Sequence, residues 1–407
     1  MWFYVQKIQI TYQVREAAAH DQPRGNFSDL YPRWLGTREL LLHHRDPYSP
    51  EITREIQVGY YGRPLDSTRP SDPKDQQAFA YPLYVVFMLV PSIFLPFAAA
   101  HTIFFWFLVF LTALTVPLWI KVIKWHPSSL VVVTLIVFSL GSFPAVQGLK
   151  LQQLTLLVYA LISISVASLV DGRYWVAGIF LALSTIKPQL TLILILWFLL
   201  WALSDLSRRR VLIYSFGLTM AALLIGSEFL LPGWIWRFRD ALAAYSQYTG
   251  GLGSTLDALI TPLGGRFVAA VLIVSIAIAC WKWRCQPVES PAFALSVSLI
   301  LALTVTVIPM ISPYNQMLLL PGIFLSVRNW HVLLADRLLR TITVIAVAII
   351  FWPWLASAGL ALASIGMPAQ SVQRLWRLPL YTSLAIPSSV LVLLIVYARK
   401  TASEFSR

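Results

Sequence analysis

The sequence predicts an all-α, polytopic membrane protein, and three observations carry that prediction. Of its 407 residues 58% are hydrophobic and only 12% are charged, against a charged share of about 25% in soluble domains. Beyond residue 81 apolar runs recur with short breaks, and most are long enough for the roughly 20 residues a helix needs to cross hydrocarbon. Strand-like alternation is absent, which argues against a β-barrel.

Residues 1–81 differ in kind from the rest. They hold ten acidic and ten basic groups, whereas the remainder holds 21 basic against eight acidic. The net charge of +13 therefore belongs to the membrane part, where Lys and Arg at helix ends orient the chain, and no nucleic-acid partner is implied. Two domains follow: a polar extracytoplasmic loop with interfacial helices over 1–81, and a transmembrane helical domain over 82–407.

The opening run, MWFYVQKIQITY, is apolar but too short and interrupted for a cleavable signal peptide. In DLYPRWLGTRELLLHH, Leu30, Trp34 and Leu41 share one face at roughly helical spacing. That fits a helix in the headgroup region with its Trp at the interface, or equally a short helix packed on the loop's own core. Candidate spans follow at about 99–120, 128–147, 152–170, 174–187, 188–204, 211–231, 267–281, 291–308, 316–327, 341–363 and 379–398, with a further short stretch at 82–97. This makes about 11 to 12 transmembrane helices. Those abutting Lys187 and Asn315 are short, which predicts helices that stop inside the membrane or beside a water-filled cavity.

Alternate loops carry 14 and seven basic residues, and the positive-inside rule places the richer set, with the C-terminus, in the cytoplasm. The loop at 232–266 is then outside. A full crossing at 82–97 would put the first segment in the cytoplasm. A stretch that dips in and returns, or bends into one unit with 99–120 around Pro91 and Pro96, puts it outside with its carboxylates, the arrangement preferred here.

Several residues could carry chemistry. Asp29 is a carboxylate near a membrane surface, suited to act as a general base toward an attacking hydroxyl, and equally placed to cap the helix that follows it. Asp46, with Pro47 and Tyr48, and Tyr81, before Pro82, are further candidates, although a proline at a helix start is structurally expected. Tyr314 in Ser-Pro-Tyr stands at a proline-broken helix end. Lys187 is a cation between two apolar half-spans, a costly position usually kept for function, where an ammonium could neutralise a phosphate or snorkel to the headgroups. Gln152 and Gln153 could hydrogen-bond sugar hydroxyls or cap a span. Tyr245, Tyr248, Gly250 and Gly251 lie in an outer loop that could close over an acceptor. Cys280 and Cys285 imply no disulfide framework, His43 and His44 point apart on a helix, and Asn26-Phe27-Ser28 matches a glycosylation sequon.

Taken in order, four stretches resemble glycosyltransferase family 87, polyprenyl-phosphate-sugar-dependent membrane enzymes of the GT-C superfamily. FSDLYPRWLGTRELLLHHRDPYSP looks like the family's first outer loop, and FAYPLYVVFMLVPSIFLPFAAAHTIFFW like its Tyr-Pro-Pro helix entry and Trp-bearing span. LQQLTLLVYALISISVASLVDGRYWVAGIFLALSTIKPQLTLIL looks like its Gly-Gln, Ala-Gly and Lys-Pro stretch, and ISPYNQMLLLPG like its late Ser-Pro-Tyr element. The resemblance runs from about residue 26 to about 325 and implies a GT-C-like bundle in the cell membrane. It also implies transfer of one sugar, mannose favoured, from a polyprenyl-phosphate donor to a lipid, glycan or protein hydroxyl on the non-cytoplasmic face.

Under that resemblance Asp29 matches the acidic residue of the first outer loop and Lys187 the donor-phosphate lysine. Gln153, Asp46, Tyr48, Tyr81 and Tyr314 would line the donor site. No cofactor and no metal are expected, because the donor carries a single phosphate, and inversion follows from a single displacement. Three departures stand out: a first membrane helix before the loop is missing, Tyr-Pro-Leu replaces Tyr-Pro-Pro, and Gln152 replaces the glycine before Gln153. A flippase for a lipid-linked sugar, or a non-catalytic relative, is the competing reading. Against the flippase, paired broken helices in two related halves are not evident.

Overall fold

The computed structural model describes residues 1–25, 28–66, 68–249, 253–309 and 311–405, and among these it contains helices and no strand. Asn26 and Phe27 of the sequon, and Gly250 and Gly251 of the outer loop, lie outside the described residues.

The chain opens with a π-helical stretch, Tyr4–Gln9, that runs into α1 (Ile10–Ala19). Tyr4, Val5 and Ile8 bury against Phe143, Val146, Leu360 and Val372, and the Tyr4 hydroxyl donates to the Trp376 carbonyl at 2.6 Å. The short apolar run thus packs on protein. α2 (Leu30–His43) and α3 (Pro50–Tyr61) are the helices of the polar segment. Ser49 starts α3 by accepting the Ile52 amide at 3.3 Å, Pro50 takes its first position, and Gly62 ends it at a φ of +81°.

Leu30 and Trp34 bury on one face of α2, as their spacing predicts, joined by Leu40, while Leu41 is only half-buried. That face packs on α3 and on α4 (Val85–Leu89), and the Trp34 indole donates to the Ser92 carbonyl at 3.0 Å. The helix packs on the bundle and not on a core of the loop's own. Its core residues Leu30, Trp34, Ile52, Ile56 and Phe79 are continuous with the core of the bundle.

The stretch at 82–97 holds too little helix to cross a bilayer as one. α4 and the 3₁₀ turn Val90–Ser92 supply five and three helical residues, a rise of about 12 Å against a hydrocarbon thickness of about 30 Å. Pro96 then precedes α5 (Phe97–Val122).

Beyond it run α6 (Ser129–Gly141), α7 (Phe143–Leu151), α8 (Leu154–Val170), α9 (Tyr174–Leu183), α10 (Pro188–Leu203), α11 (Leu206–Leu230), α12 (Trp234–Thr249) and α13 (Thr255–Leu259). They are followed by α14 (Pro262–Trp283), α15 (Pro291–Val307), a 3₁₀ stretch Pro313–Leu319, α16 (Leu320–Arg328), α17 (Trp330–Leu333), α18 (Arg337–Gly366), α19 (Ala369–Arg374) and α20 (Ile386–Phe405). Among the described residues α5, α11, α14 and α18 are long and apolar enough to cross a bilayer. α6 and α7, bent by 56° at Ser142, make a fifth when taken together.

α8, the α9 segment, α10 and α15 are shorter apolar helices. The polytopic all-α class is therefore what forms, while the 11 to 12 crossings read from hydropathy resolve into spans of unequal length. The physical reason lies in α8 and α15, each with 15 of 17 residues buried. Helices apolar all round are helices enclosed by others, and they need not reach both membrane surfaces.

α9 and α11 pack so closely that a Cβ on Gly178 would stand 2.7 Å from the Leu212 carbonyl oxygen and from the Phe216 amide nitrogen. Backbone cannot move aside as a side chain can. Gly178→Ala should lower stability by about 1–3 kcal/mol, whereas Gly217→Ala, with nothing within 4 Å of the added carbon, should not. Thermal unfolding of the two purified variants in detergent checks this, and equal midpoints would contradict the packing.

Candidate functional site

Four interruptions of helix meet at one end of the bundle. Each has a local cause. Between α7 and α8 the chain turns at Gln152, whose φ of +51° is left-handed, and Gln153 opens α8. Between α9 and α10 the helix tightens to a 3₁₀ turn at Ser184–Ile186 and leaves helical geometry at Lys187. Pro188 forces that exit, because it disfavours the α conformation in the residue before it and lacks an amide proton. Pro313 similarly breaks the chain after α15 and presents Tyr314 and Asn315. The fourth is the entry to α4, preceded by Tyr81.

These ends, with α2 from the polar segment and α12 from the outer loop, enclose a cavity of about 120 Å³ lined by Asp29, Arg33, Gln77, Tyr81, Gln153, Lys187 and Tyr314, among others. Gln153 is its hub. Its side-chain amide donates to the Asp29 carboxylate, while its carbonyl oxygen accepts from the Lys187 ammonium at 2.9 Å. Lys187, 6% exposed, also donates to the Thr155 hydroxyl at 2.8 Å, and that hydroxyl donates to Asn315 at 3.2 Å. The ammonium lies 5.7 Å from the centre of the Tyr81 ring and 5.2 Å from that of Tyr314, within cation–π range.

Asp29 is held from three sides. Its amide donates to the Leu151 carbonyl at 2.9 Å, and Ser28 donates to the Gln152 side chain at 2.6 Å. The Gln77 amide reaches one carboxylate oxygen at 3.5 Å and the Asp75 carboxylate at 2.7 Å. Asp29 precedes α2 without capping it through its side chain; the carboxylate faces the cavity instead. One turn along α2, the Arg33 guanidinium donates to the Asp29 carbonyl and stands 4.5 Å from the Tyr81 ring centre. Arg33 Nε and Gln77 Oε1 are buried with no hydrogen-bond partner among the described residues.

Burial raises the Asp29 carboxyl above the ordinary aspartate range, and Asp75 adds to the effect, while Arg33, Lys187 and the Gln77 hydrogen bond oppose it. For Arg33, burial works against the charge but Tyr81, Asp29, Tyr245 and Asp75 more than offset it. A carboxylate with raised proton affinity, two cations and three aromatic rings thus share a small enclosed space. The set can accept a proton, neutralise an anion and stack on a sugar.

Of the residues the sequence singled out, Asp29, Gln153, Lys187, Tyr81 and Tyr314 come together here. Asp46 and Tyr48 do not line the cavity. Asp46 pairs with Arg237 of α12 and accepts the Tyr48 amide at 2.9 Å, and the Tyr48 hydroxyl donates to the Tyr81 carbonyl at 2.7 Å. They brace the wall from behind. Gln152 likewise ties Ser28 to the His101 carbonyl of α5. Tyr245 of the outer loop does line the cavity, and Tyr248 instead anchors α12 to the Pro73 carbonyl at 3.0 Å. Arg33, Asp75, Gln77, Thr155 and Gln189 were not foreseen, and Asn315 was marked only as the edge of a short span. Of the first five only Arg33 had a signal, its place four residues after Asp29 on a helix.

Residues 79–313, more than half of the chain, match the family model described as glycosyltransferase family 87. No curated protein matches the chain. The matched stretch includes Tyr81, Gln153 and Lys187, ends one residue before Tyr314, and leaves Asp29 outside. The place of Asp29 in the site therefore rests on geometry.

Truncating Gln153 would leave both the Asp29 carboxylate and the Lys187 ammonium short of a buried partner. Gln153→Ala should cost about 1–3 kcal/mol of stability, while Gln189→Ala, on the exposed side of the cavity, should cost little. Unfolding midpoints in detergent decide it; a Gln153→Ala protein as stable as the parent would show that the hub holds nothing.

Proposed function

We propose that this chain, which belongs to glycosyltransferase family 87, moves a hexose, mannose favoured, from a polyprenyl-phosphate-linked donor to a hydroxyl of a lipid, glycan or protein acceptor. The family gives a membrane glycosyltransferase; donor, sugar, acceptor and mechanism are our reading. One observation carries it: Gln153 brings a carboxylate and an ammonium from positions 29 and 187 of the chain to one cavity.

In this reading the acceptor oxygen attacks the anomeric carbon as Asp29 takes its proton. The bond from that carbon to the donor phosphate oxygen breaks, and its electron pair leaves with polyprenyl phosphate. A single displacement inverts the anomeric centre. Lys187 and Arg33 receive the phosphate, whose charge rises as it leaves, and the rings of Tyr81 and Tyr314 position donor and sugar. The enzyme would work at the non-cytoplasmic face of the cell membrane, as the distribution of basic loops supports.

Membranes containing the protein should transfer sugar from a polyprenyl-phosphate donor, and Asp29→Asn should reduce the rate about 100- to 10,000-fold at unchanged expression. Transfer that survives this change removes Asp29 from the role of base. Movement of intact donor between leaflets with no new glycosidic bond would instead favour a flippase.

Asp29 must be ionised to accept a proton, and its proton affinity is raised. Transfer should therefore fail as pH falls through a value above the ordinary aspartate range and be full at higher pH. Lys187→Ala should raise the apparent donor KM about ten- to hundredfold. Because Lys187 opposes the raised proton affinity, the same change should move the acid limb to higher pH. A variant with unchanged donor KM would sink the phosphate role, and an unmoved limb would sink the coupling to Asp29.

A further inference from the structure

We propose a second ligand site, for an anionic glycerophospholipid of the surrounding bilayer, in the groove between α14 and α20 at the end of the bundle away from Asp29. α14 and α20 both pack along α15 but hardly touch each other. The gap left between them is an open groove of about 570 Å³, against about 120 Å³ for the Asp29 cavity. Ile276 and Ala279 of α14, Leu299 of α15 and Ile395 of α20 give it apolar walls, and Lys282 and Arg399 stand at one end.

That end is opposite the catalytic cavity. The Thr255 hydroxyl, before α14, donates to the Thr306 carbonyl at the close of α15 at 2.8 Å, and α15 leads on to Tyr314. Lys282 lies in the last turn of α14, 20 residues beyond Pro262 and so about 30 Å away along the helix. α20 begins beside Ser383, whose carbonyl accepts from Gln316 at 2.7 Å, and Arg399 lies near its other end.

The chemistry of the groove selects its occupant. Its walls run along α14 from Leu272 to Lys282, about 15 Å, or half the hydrocarbon thickness. This is the depth of one leaflet and the space of one acyl chain. Lys282 and Arg399 are exposed, and among the described residues neither has an ion-pair partner, whereas the adjacent Lys400 pairs with Asp336 at 2.9 Å. Two unpaired cations beside an apolar slot suit a phosphate at the head of a buried acyl chain. A zwitterionic lipid brings its own cation to the phosphate and gains less, so the net-negative headgroup is preferred.

The test uses the full chain purified in neutral detergent, offered equal amounts of phosphatidylglycerol and phosphatidylcholine, with bound lipid read by native mass spectrometry. Phosphatidylglycerol should be retained in preference, and each of Lys282→Gln and Arg399→Gln should weaken its retention about fivefold. Ala279→Phe, which fills the slot and leaves the charges, should displace both lipids from the site. Arg173→Gln, an exposed cation at the same end of the bundle outside the groove, should change nothing. Equal retention of the two lipids, or a loss in Arg173→Gln as large as in the groove variants, would overturn the proposal.

Discussion

A single amide group, the side chain of Gln153, stands between the two charges on which the site is built. Its carbonyl oxygen accepts a hydrogen bond from Lys187 and its NH₂ donates one to Asp29, and only one orientation of the amide satisfies both neighbours. A direct ion pair would hold both charges against each other, depress the proton affinity of the carboxylate, and occupy the space where an anion could enter. With the amide interposed, each charge is satisfied in part and each keeps a face toward the cavity. The polar segment and the membrane bundle are fastened together by the same residue and the two before it, since Gln152 holds Ser28 and Leu151 holds the Asp29 amide.

The rest of the architecture follows from bringing that amide and that ammonium to one place. A buried ammonium within an apolar bundle is costly, and a continuous helix through residues 174–203 would carry Lys187 on one side of a regular cylinder. Pro188 ends that possibility, because the chain must leave helical geometry before it. The break lets the ammonium reach Gln153, Thr155 and two aromatic faces together. Helices that stop short also need enclosure, since their ends expose backbone groups that lipid cannot satisfy. α8 and α15, buried on nearly all sides, provide it, and α2 and α12 close the top.

Most of this was legible in sequence where it depended on hydropathy or on proline. The helical segments, the interruption at Lys187, and the candidates Tyr81, Gln153 and Tyr314 could be read because apolar runs and Pro188 or Pro313 leave local marks. That 82–97 is not a full crossing was the preferred reading, and Pro91 and Pro96 mark the irregular chain before α5. What could not be read is which way polar side chains turn once folded. Asp46 and Tyr48 had the same credentials as Tyr81, yet Asp46 meets Arg237, 191 residues away in sequence, and Tyr48 supports Tyr81 from outside. Gln77 is the reverse case: it sits in irregular chain at a φ of +49°, with no periodicity to place it, yet it reaches Asp29. Which of the short helices are enclosed could not be read either, as hydropathy does not distinguish lipid from neighbouring helices.

Charge bookkeeping in the cavity gives the proposed reaction a further internal consistency. Asp29 and Asp75 balance Arg33 and Lys187 among the lining residues, so the cavity lining is formally neutral. A sugar phosphodiester would enter with one negative charge and leave as a monoester with two. The added negative charge arises as the acceptor proton reaches Asp29, which removes one negative charge from the lining and leaves a net positive unit facing the phosphate. In a space of low dielectric these two changes are strongly coupled, and each favours the other. In the proposed reaction Asp29, held near the departing phosphate by one intervening amide, would therefore be more than a proton acceptor: its neutralisation would free Lys187 and Arg33 to act on the leaving group at the moment its charge develops.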